Sequence, residues 1–305
     1  MNQLRPDGGF GSPERGVAGY YKIPLALLVC GQGRAAGRLL HWVRRCSLLP
    51  DGDFGPRSAD ARGYFHTYYN AWLIVAAHRQ GQFDLAHRGT DFLLRTWDAE
   101  SGGFYSSATE RSPETLQDVW VTCGAGLAAL YAGRFETARG VGAWLARLRE
   151  AQTDFPRRLY SVWSKARGLH TTFPPAERVR HEFVPAEPTN QYFFQPGIAA
   201  GFLAQLYKAT GEPAWLALAE DYLGQATLAC DHHFTTYQSG KIGWAGAVLY
   251  TLTAKPAWRA LAARVGDWLV AAQAANGSWD AGENTNDFTA EMVVWLDEID
   301  QSIGG

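Results

Sequence analysis

The sequence has few cysteines, few charges and no long apolar run, and each shortage excludes a class of protein. Its four cysteines are widely spaced, without a CxxC pair, so we expect reduced thiols rather than a disulfide scaffold. Charged residues make up 19% of the chain and the formal net charge is -2, which gives no strong attraction for nucleic acid or anionic lipid. The longest apolar run, Ile23–Cys30, is too short to span a membrane, and the segment 1–8 contains no apolar signal region. We therefore expect a soluble cytoplasmic protein.

Sequence motifs for several common chemistries are also missing. There is no glycine-rich phosphate loop before a helix, no Walker sequence, no GxSxG and no HExxH. The run Asp231, His232 and His233 would point its side chains apart on a helix, and no second ligand cluster accompanies it. We expect neither a metal nor another cofactor, and the expected partner is a small molecule. The sequence does not indicate an oligomeric state.

What the chain does contain is a repeated unit: an aromatic–aliphatic pair, a short helix end, and a Gly-x-aromatic triplet. The best copy runs from Trp268-Leu269 through Gln273 to Gly277-Ser278-Trp279. Further copies, two weaker, one truncated and one degenerate, lie at 42–54, 92–104, 3–10 and 144–155. A spacing of roughly 45–50 residues indicates a repeated supersecondary unit.

Helical periodicity dominates between these loops, and the predicted helices form two sets. Amphipathic helices are predicted at about 34–48, 82–97, 134–152, 213–229 and 256–273. Helices that are apolar on almost every side are predicted at about 17–31, 63–79, 114–132, 190–210, 240–254 and 285–302. A helix that is apolar all round is buried all round, so we predict an all-α (α/α)6-like toroid of about eleven helices in an inner and an outer ring. No segment shows the alternation of a strand. We expect one domain over 1–305.

One long connection, at about 153–189, interrupts the repeat. It contains five prolines and a group of basic residues, among them Arg167, Arg178 and Arg180. A connection of this length inside a compact domain is often a lid or a binding loop, and arginines suit a carboxylate or phosphate. A solvated surface loop explains the same composition, so both interpretations stay open.

The segment Arg264–Trp279 resembles the QW repeat of terpenoid cyclases, whose α/α toroid is shared by protein prenyltransferases. The resemblance implies a toroid, in which the QW unit ties helix ends to loops and has no catalytic role. The family's catalytic motifs are missing: Asp51-Gly52-Asp53-Phe54 is the nearest string to the Asp-x-Asp-Asp acid motif, the Asp-rich metal motif is absent, and Asp118 with Cys123 lacks a zinc-binding histidine partner. Similar α/α barrels serve sugar epimerases, unsaturated uronyl hydrolases and uronate lyases, so the architecture leaves the reaction open.

Each predicted inner helix begins with polar and aromatic residues before it turns apolar. In a toroid these six starts meet at one rim, and a concave aromatic cavity with a few polar groups is the default ligand site. Five residues are candidates for proton transfer: His66, Asp118, Tyr68, Asp287 and Glu291. Four of them have a structural alternative: a core histidine for His66, a carboxylate at a helix start for Asp118, a wall tyrosine for Tyr68 and a helix cap for Asp287.

The substrate-binding candidates are the remaining rim residues and nearby tryptophans. They are Tyr21, Lys22, Tyr69, Asn70, Trp72, Trp120, Trp163, Arg167, Asn190, Gln191, Tyr192, Gln195, Lys241 and Trp244. Lys22 and Lys241 would bind an anionic group of the substrate, or would simply extend their ammonium groups to water. Because Pro196 lacks a backbone donor, we expect a helix to begin there, with 190–195 as a loop.

Three functions are consistent with these features. The leading hypothesis is a cofactor-independent cyclase or isomerase that uses acid/base chemistry on a small organic substrate in the central cavity. The second is a carbohydrate-active enzyme: a uronyl hydrolase, a uronate lyase or a sugar epimerase. The third is a non-catalytic helical scaffold that binds a partner.

Overall fold

The computed structural model describes residues 3–57 and 63–304, and most of this chain is helical. Six helices form an inner ring: α1 (Ile23–Val29), α3 (His66–Arg79), α5 (Val119–Tyr131), α8 (Phe194–Thr210), α11 (Gly240–Thr253) and α13 (Thr285–Ile303). Five form an outer ring: α2 (Gly33–Cys46), α4 (Phe83–Leu93), α6 (Phe135–Glu150), α9 (Pro213–Ala226) and α12 (Pro256–Ala271). Two short helices, α7 (Pro175–His181) and α10 (Asp231–Phe234), lie in connections between them.

The inner ring is closed. Each inner helix packs against the next, and α13 packs against α1, while every outer helix packs against the inner helix before it in the chain. Helix α11 shows why the sequence places it inside, since every residue from Gly240 to Leu249 is buried. The predicted toroid of eleven helices in two rings is therefore confirmed.

The Gly-x-aromatic loops join the two rings. In the loop 102–104, Gly102 has φ +76° and packs so closely on α6 that a Cβ atom there would collide with the carbonyl oxygen of Gly140. The Phe104 amide donates to Thr122 Oγ1 on α5 at 3.2 Å. In the best repeat, the Trp279 amide donates to Thr289 Oγ1 on α13 at 3.1 Å. In these two copies, the repeat thus fixes the end of the outer helix to the following inner helix.

Three tryptophans fill the middle of the inner ring. The rings of Trp244 and Trp295 stack with centroids 4.9 Å apart, and Trp72 meets Trp295 edge-on at 5.7 Å. All three are at most 7% exposed. Gly201 on α8 makes room for this layer, because a side chain there would overlap the Trp244 ring. The layer lies across the barrel axis below the starts of the inner helices.

Some predicted helix ends are correct and others are wrong. Pro213 and Pro256 begin α9 and α12, and Gly211 ends α8 with φ +71°, as predicted. Helix α8 begins at Phe194 rather than at Pro196, because a proline in the first turn removes an amide that has no helical partner anyway. Helix α5 begins at Val119 rather than near 114.

The residues before α5 form a short strand that the sequence did not indicate, although the all-α class is confirmed. Within residues 3–57 and 63–304, five strands are present: β1 (Gln117–Asp118), β2 (Leu159–Tyr160), β3 (Val162–Ser164), β4 (Gly168–Leu169) and β5 (Glu182–Phe183). They form two antiparallel sheets, β1-β3-β4 and β2-β5. Strands of two or three residues are too short to show alternation in a sequence. Through β1 and β3, the connection 153–189 is attached to the start of α5.

Candidate functional site

A cavity of about 300 Å³ opens where the inner helices begin. All six inner-helix starts contribute to its lining, which consists of Tyr21, Lys22, Phe65, Tyr68, Tyr69, Trp120, Tyr192, Phe194, Tyr237, Gln238, Lys241, Asn284, Asp287, Phe288 and Glu291. The structure thus brings the six polar-aromatic strings together at one end of the barrel. All six helix N-termini, with their partial positive charge, lie at this end.

Four charged side chains form a buried network on one side of the cavity. Lys22 Nζ donates to Asp287 Oδ2 at 2.8 Å and also binds Glu291 Oε2. The other oxygen of Glu291 binds Lys241 Nζ and accepts from Trp295 Nε1 at 3.1 Å. Lys22 and Glu291 are each less than 9% exposed. Two ammonium groups and two carboxylates therefore occupy one site with no net charge.

Two members of the network, Glu291 and Lys22, have strongly shifted pKa values. Burial opposes ionisation of Glu291, but Lys22 and Lys241 outweigh it and lower the pKa of this carboxyl to about 2. Burial likewise opposes the charge of Lys22, yet Asp287 and Glu291 raise the pKa of its ammonium well above the usual range. Glu291 is consequently a fixed charge and a poor proton acceptor.

Two polar atoms on the cavity wall are left without partners. Asp287 Oδ1 and Trp120 Nε1 are buried, and neither forms a hydrogen bond to any residue that the structure describes. Buried polar groups in folded proteins are normally satisfied, so an unpaired acceptor on α13 and an unpaired donor on α5, which face the cavity from opposite sides of the ring, are suited to a ligand.

His66 and Asn70 lie on α3 but do not line the cavity. His66 Nε2 contacts Asp53 Oδ2 at 2.7 Å, and Asn70 Nδ2 donates to Asp53 Oδ1 at 2.9 Å. Arg57 Nη2 also donates to Asp53 Oδ1 at 2.9 Å and binds Asn70. Burial opposes ionisation of Asp53, but His66 and Arg57 hold the pKa of this carboxyl well below its usual range. These contacts tie α3 to the loop 52–54.

Asp118 lies behind the cavity wall and is completely buried. It caps α5, since Val121 N donates to its Oδ1 at 2.8 Å. Its Oδ2 lies 3.9 Å from His181 Nδ1, and neither atom has a hydrogen-bond partner among the described residues. Burial raises the pKa of Asp118 to about 7. Burial lowers the pKa of His181 to about 4, and the positive charge of Arg180 contributes to this lowering.

The other predicted binding residues are distributed around the cavity. Trp72 and Trp244 lie below it in the tryptophan layer, and Asn190, Gln191 and Tyr192 line an adjoining recess. Gln195 is buried and donates to the Arg180 carbonyl at 3.2 Å. Trp163 belongs to β3, and the exposed Arg167 lies in the turn between β3 and β4. Neither lines the cavity.

Sequence analysis missed two groups of residues. Asp53, which holds His66, is predicted only as part of a repeat loop, although a carboxylate inside a Gly-x-aromatic triplet is a signal. Arg57, which also contacts His66, is not singled out by the sequence. His233 and Thr236 line the adjoining recess, and nothing in their sequence context indicated this.

The basic residues of the connection 153–189 are mostly paired within the protein. Arg158 and Arg178 both bind Glu182, at 3.1 and 2.9 Å. Lys165 binds Glu100 and lies 3.6 Å from Asp98. Arg180 lies over the Phe65 ring, 5.3 Å from its centroid. These pairs reduce the charge that the connection can offer to an anion.

In the described parts of the chain, no helix is long and apolar enough to cross a bilayer. Within the same ranges, no group of three or more histidine, cysteine or acidic side chains is arranged to hold a metal ion.

No protein-family model matches the chain, and no curated protein matches it in sequence. Solved structures do share its fold. A D-mannose isomerase has a TM-score of 0.70 at 13% identity, covering 97% of this chain and 93% of its own. An unsaturated glucuronyl hydrolase specific for heparin has a TM-score of 0.67 at 11% identity, covering 98% and 90%. A glycoside hydrolase family 76 α-mannanase from Bacteroides thetaiotaomicron has a TM-score of 0.62 at 14% identity, covering 93% and 85%.

These similarities establish the α/α toroid, and at such low identity they establish the fold alone. They support the toroid that the segment 264–279 implied but not a terpenoid cyclase.

Proposed function

We propose that the protein is an enzyme that acts on a carbohydrate in the cavity by acid/base chemistry. The single observation that carries the proposal is the cavity itself, in which aromatic walls surround a buried ionic network and an unpartnered carboxylate oxygen. Aromatic faces stack on sugar rings, while the polar atoms satisfy sugar hydroxyls. Several proteins of this fold act on sugars, and one α-1,6-mannanase structure contains α-1,6-mannotriose.

Proton transfer fits the site better than glycoside hydrolysis. Hydrolysis generally requires two carboxylates that flank the scissile bond. Asp287 and Glu291 both extend from α13 and bind the same Lys22 ammonium, so they face a ligand from one side. In the proposed aldose–ketose isomerisation, Asp287 takes the C2 proton of an open-chain aldose and returns it to C1. The proton of the C2 hydroxyl moves to the carbonyl oxygen on C1, so that C1 becomes a hydroxymethyl group and C2 becomes the ketone. The six helix N-termini stabilise the negative charge that develops on oxygen.

A neutral sugar is favoured over a uronate. The cavity network has no net charge, and each lysine already binds a carboxylate of the protein. Arg158 and Arg178, which a uronate would need as partners, both bind Glu182. In this proposal the connection 153–189 packs over the start of α5 and does not act as an anion-binding lid. We also propose a cytoplasmic location, where the four unpaired cysteines would stay reduced.

The test is incubation of mannose and glucose with the protein in deuterated water, followed by NMR. We expect ketose to form and C2 deuterium to enter the aldose. Asp287→Asn should lower turnover by about 10²–10⁴-fold, the usual contribution of a general base. Asp300→Asn, an exposed change on the same helix, is the control. Release of new reducing ends from mannan or unsaturated uronides, without deuterium exchange, would instead identify a hydrolase.

A further inference from the structure

A second recess of about 290 Å³ adjoins the cavity. Tyr192, Tyr237, Gln238 and Phe288 line both spaces, so the two share one wall. The recess continues along the segment 189–191 and the short helix α10. None of its lining side chains carries a formal charge, in contrast to the cavity.

His233 is the most distinctive group of the recess. Its side chain is 1% exposed, and its Nε2 has no hydrogen-bond partner among the described residues. The rings of Phe183 and Phe193 hold the imidazole in place, with centroids 5.3 and 5.2 Å away. Burial lowers the pKa of His233, and His232 lowers it further, which leaves the ring neutral. A neutral imidazole nitrogen can pair with a sugar hydroxyl, which both donates and accepts.

The shared wall is built to remain in place. Tyr237 and Phe288 pack with ring centroids 5.4 Å apart, and the Tyr237 hydroxyl donates to the Asp280 carbonyl at 2.9 Å. Gln238 supplies an amide that forms no hydrogen bond to other residues in the described ranges. A fixed aromatic surface with one free amide group matches the alternating apolar faces and hydroxyls of a neutral sugar ring.

We propose that the recess binds the second ring of a reducing disaccharide or longer neutral glycan whose first ring occupies the cavity beside Asp287. This inference rests on the proposed function and specifies its substrate class. The shared wall stacks against both rings, and His233 Nε2 pairs with a hydroxyl of the second ring.

The experiment compares sugars that differ only by the second ring: mannose with α-1,6-mannobiose, and glucose with maltose. Steady-state isomerisation is measured for the natural protein and for His233→Phe, which keeps a ring among the phenylalanines but removes the nitrogen. His87→Phe, on the exposed face of α4, is the matched control. We expect a lower KM for at least one disaccharide than for its monosaccharide. His233→Phe should raise that KM by roughly three- to tenfold, as for one lost hydrogen bond, and leave the monosaccharide KM unchanged.

Other outcomes separate the two proposals. Equal KM values for both members of each pair would overturn the recess assignment and leave the proposed function standing. His233→Phe could change the KM of both sugars equally or lower the melting temperature of the protein. In that case a second variant, Thr189→Trp, is the test, because Thr189 is exposed at the edge of the recess and a tryptophan there narrows it. An unchanged disaccharide KM in Thr189→Trp overturns the inference. No reaction with any of the four sugars overturns the proposed function, and the recess assignment with it.

Discussion

Lys22 and Asp287 join the first and the last inner helix, with Nζ and Oδ2 2.8 Å apart across 265 positions of sequence. Lys22 directly precedes α1, and Asp287 lies in the first turn of α13. The same contact closes the inner ring and forms one side of the cavity. Stability and ligand binding are therefore coupled at this point, and substitutions here need a measurement of each.

Glu291→Gln should destabilise the protein severely. The change leaves two buried ammonium groups with only Asp287 as a charged partner in the network. Removing one partner from a buried ion pair costs about 3–5 kcal/mol. Urea unfolding at pH 7 measures the loss, with the exposed Glu283→Gln as control. A loss below about 1 kcal/mol would contradict the tight pairing described above.

Glu291 should also make the folding stability of the protein sensitive to acid. The folded pKa of Glu291, about 2, lies below the ordinary value of 4.5, so its contribution is complete above pH 4.5 and is lost as the pH falls through 2. The difference corresponds to about 3 kcal/mol. Unfolding free energies measured between pH 7 and pH 3 should fall less steeply in Glu291→Gln than in the natural protein. Parallel curves would exclude Glu291 as a source of the acid sensitivity.

Asp118 and His181 should show opposite pH effects. Asp118 has a folded pKa raised to about 7, so the native state holds its proton longer than the unfolded chain and stability falls as the pH rises from about 4 to 7. His181 has a folded pKa lowered to about 4, so stability falls as the pH drops from 6.5 to 4. Between pH 4 and 6.5 the two effects nearly cancel.

Single substitutions reveal each half of this pair. Asp118→Asn should make stability rise between pH 4 and 6.5, whereas His181→Gln should make it fall over the same range. Unfolding free energies at pH 4.5 and 6.5 distinguish the two slopes. Slopes of the same sign in both variants would contradict the assignment of the two pKa shifts.

Gly102→Ala tests the joint between the rings. The substitution places a Cβ at φ +76° and against the carbonyl oxygen of Gly140 on α6. Gly133→Ala is the matched control, because its φ of +73° is similar but nothing lies within 4 Å of the added atom. We expect Gly133→Ala to cost about 1–2 kcal/mol and Gly102→Ala clearly more, by thermal unfolding. Equal losses would mean that the loop moves away from α6 at no cost.

The sequence predicted the rings well because burial on all sides leaves a strong composition signal. The convergence of the helix starts followed from their common direction. The sequence pattern could not predict how each helix is rotated about its axis, and therefore which first-turn residues face the cavity. On α3, Phe65, Tyr68 and Tyr69 face the cavity, whereas His66 and Asn70 point toward the loop 52–54.

A small error in a helix start has a similar effect. The predicted start near 114 placed Asp118 inside the helix, where its carboxylate would reach the rim. The strand pairing of Gln117–Asp118 with Val162–Trp163 moves the start to Val119 and turns the carboxylate into a buried cap. Such pairing depends on a segment more than forty residues away, which local patterns do not encode.

The tryptophan layer of Trp72, Trp244 and Trp295 lies across the barrel axis below the cavity. A sugar-sized ligand that enters from the helix starts meets buried indoles there and leaves by the opening through which it came. If the protein acts on a glycan, as we propose, the glycan enters by one terminus only and is not threaded through the ring. A bound product then occupies the entrance that the next substrate needs, and we expect competitive product inhibition.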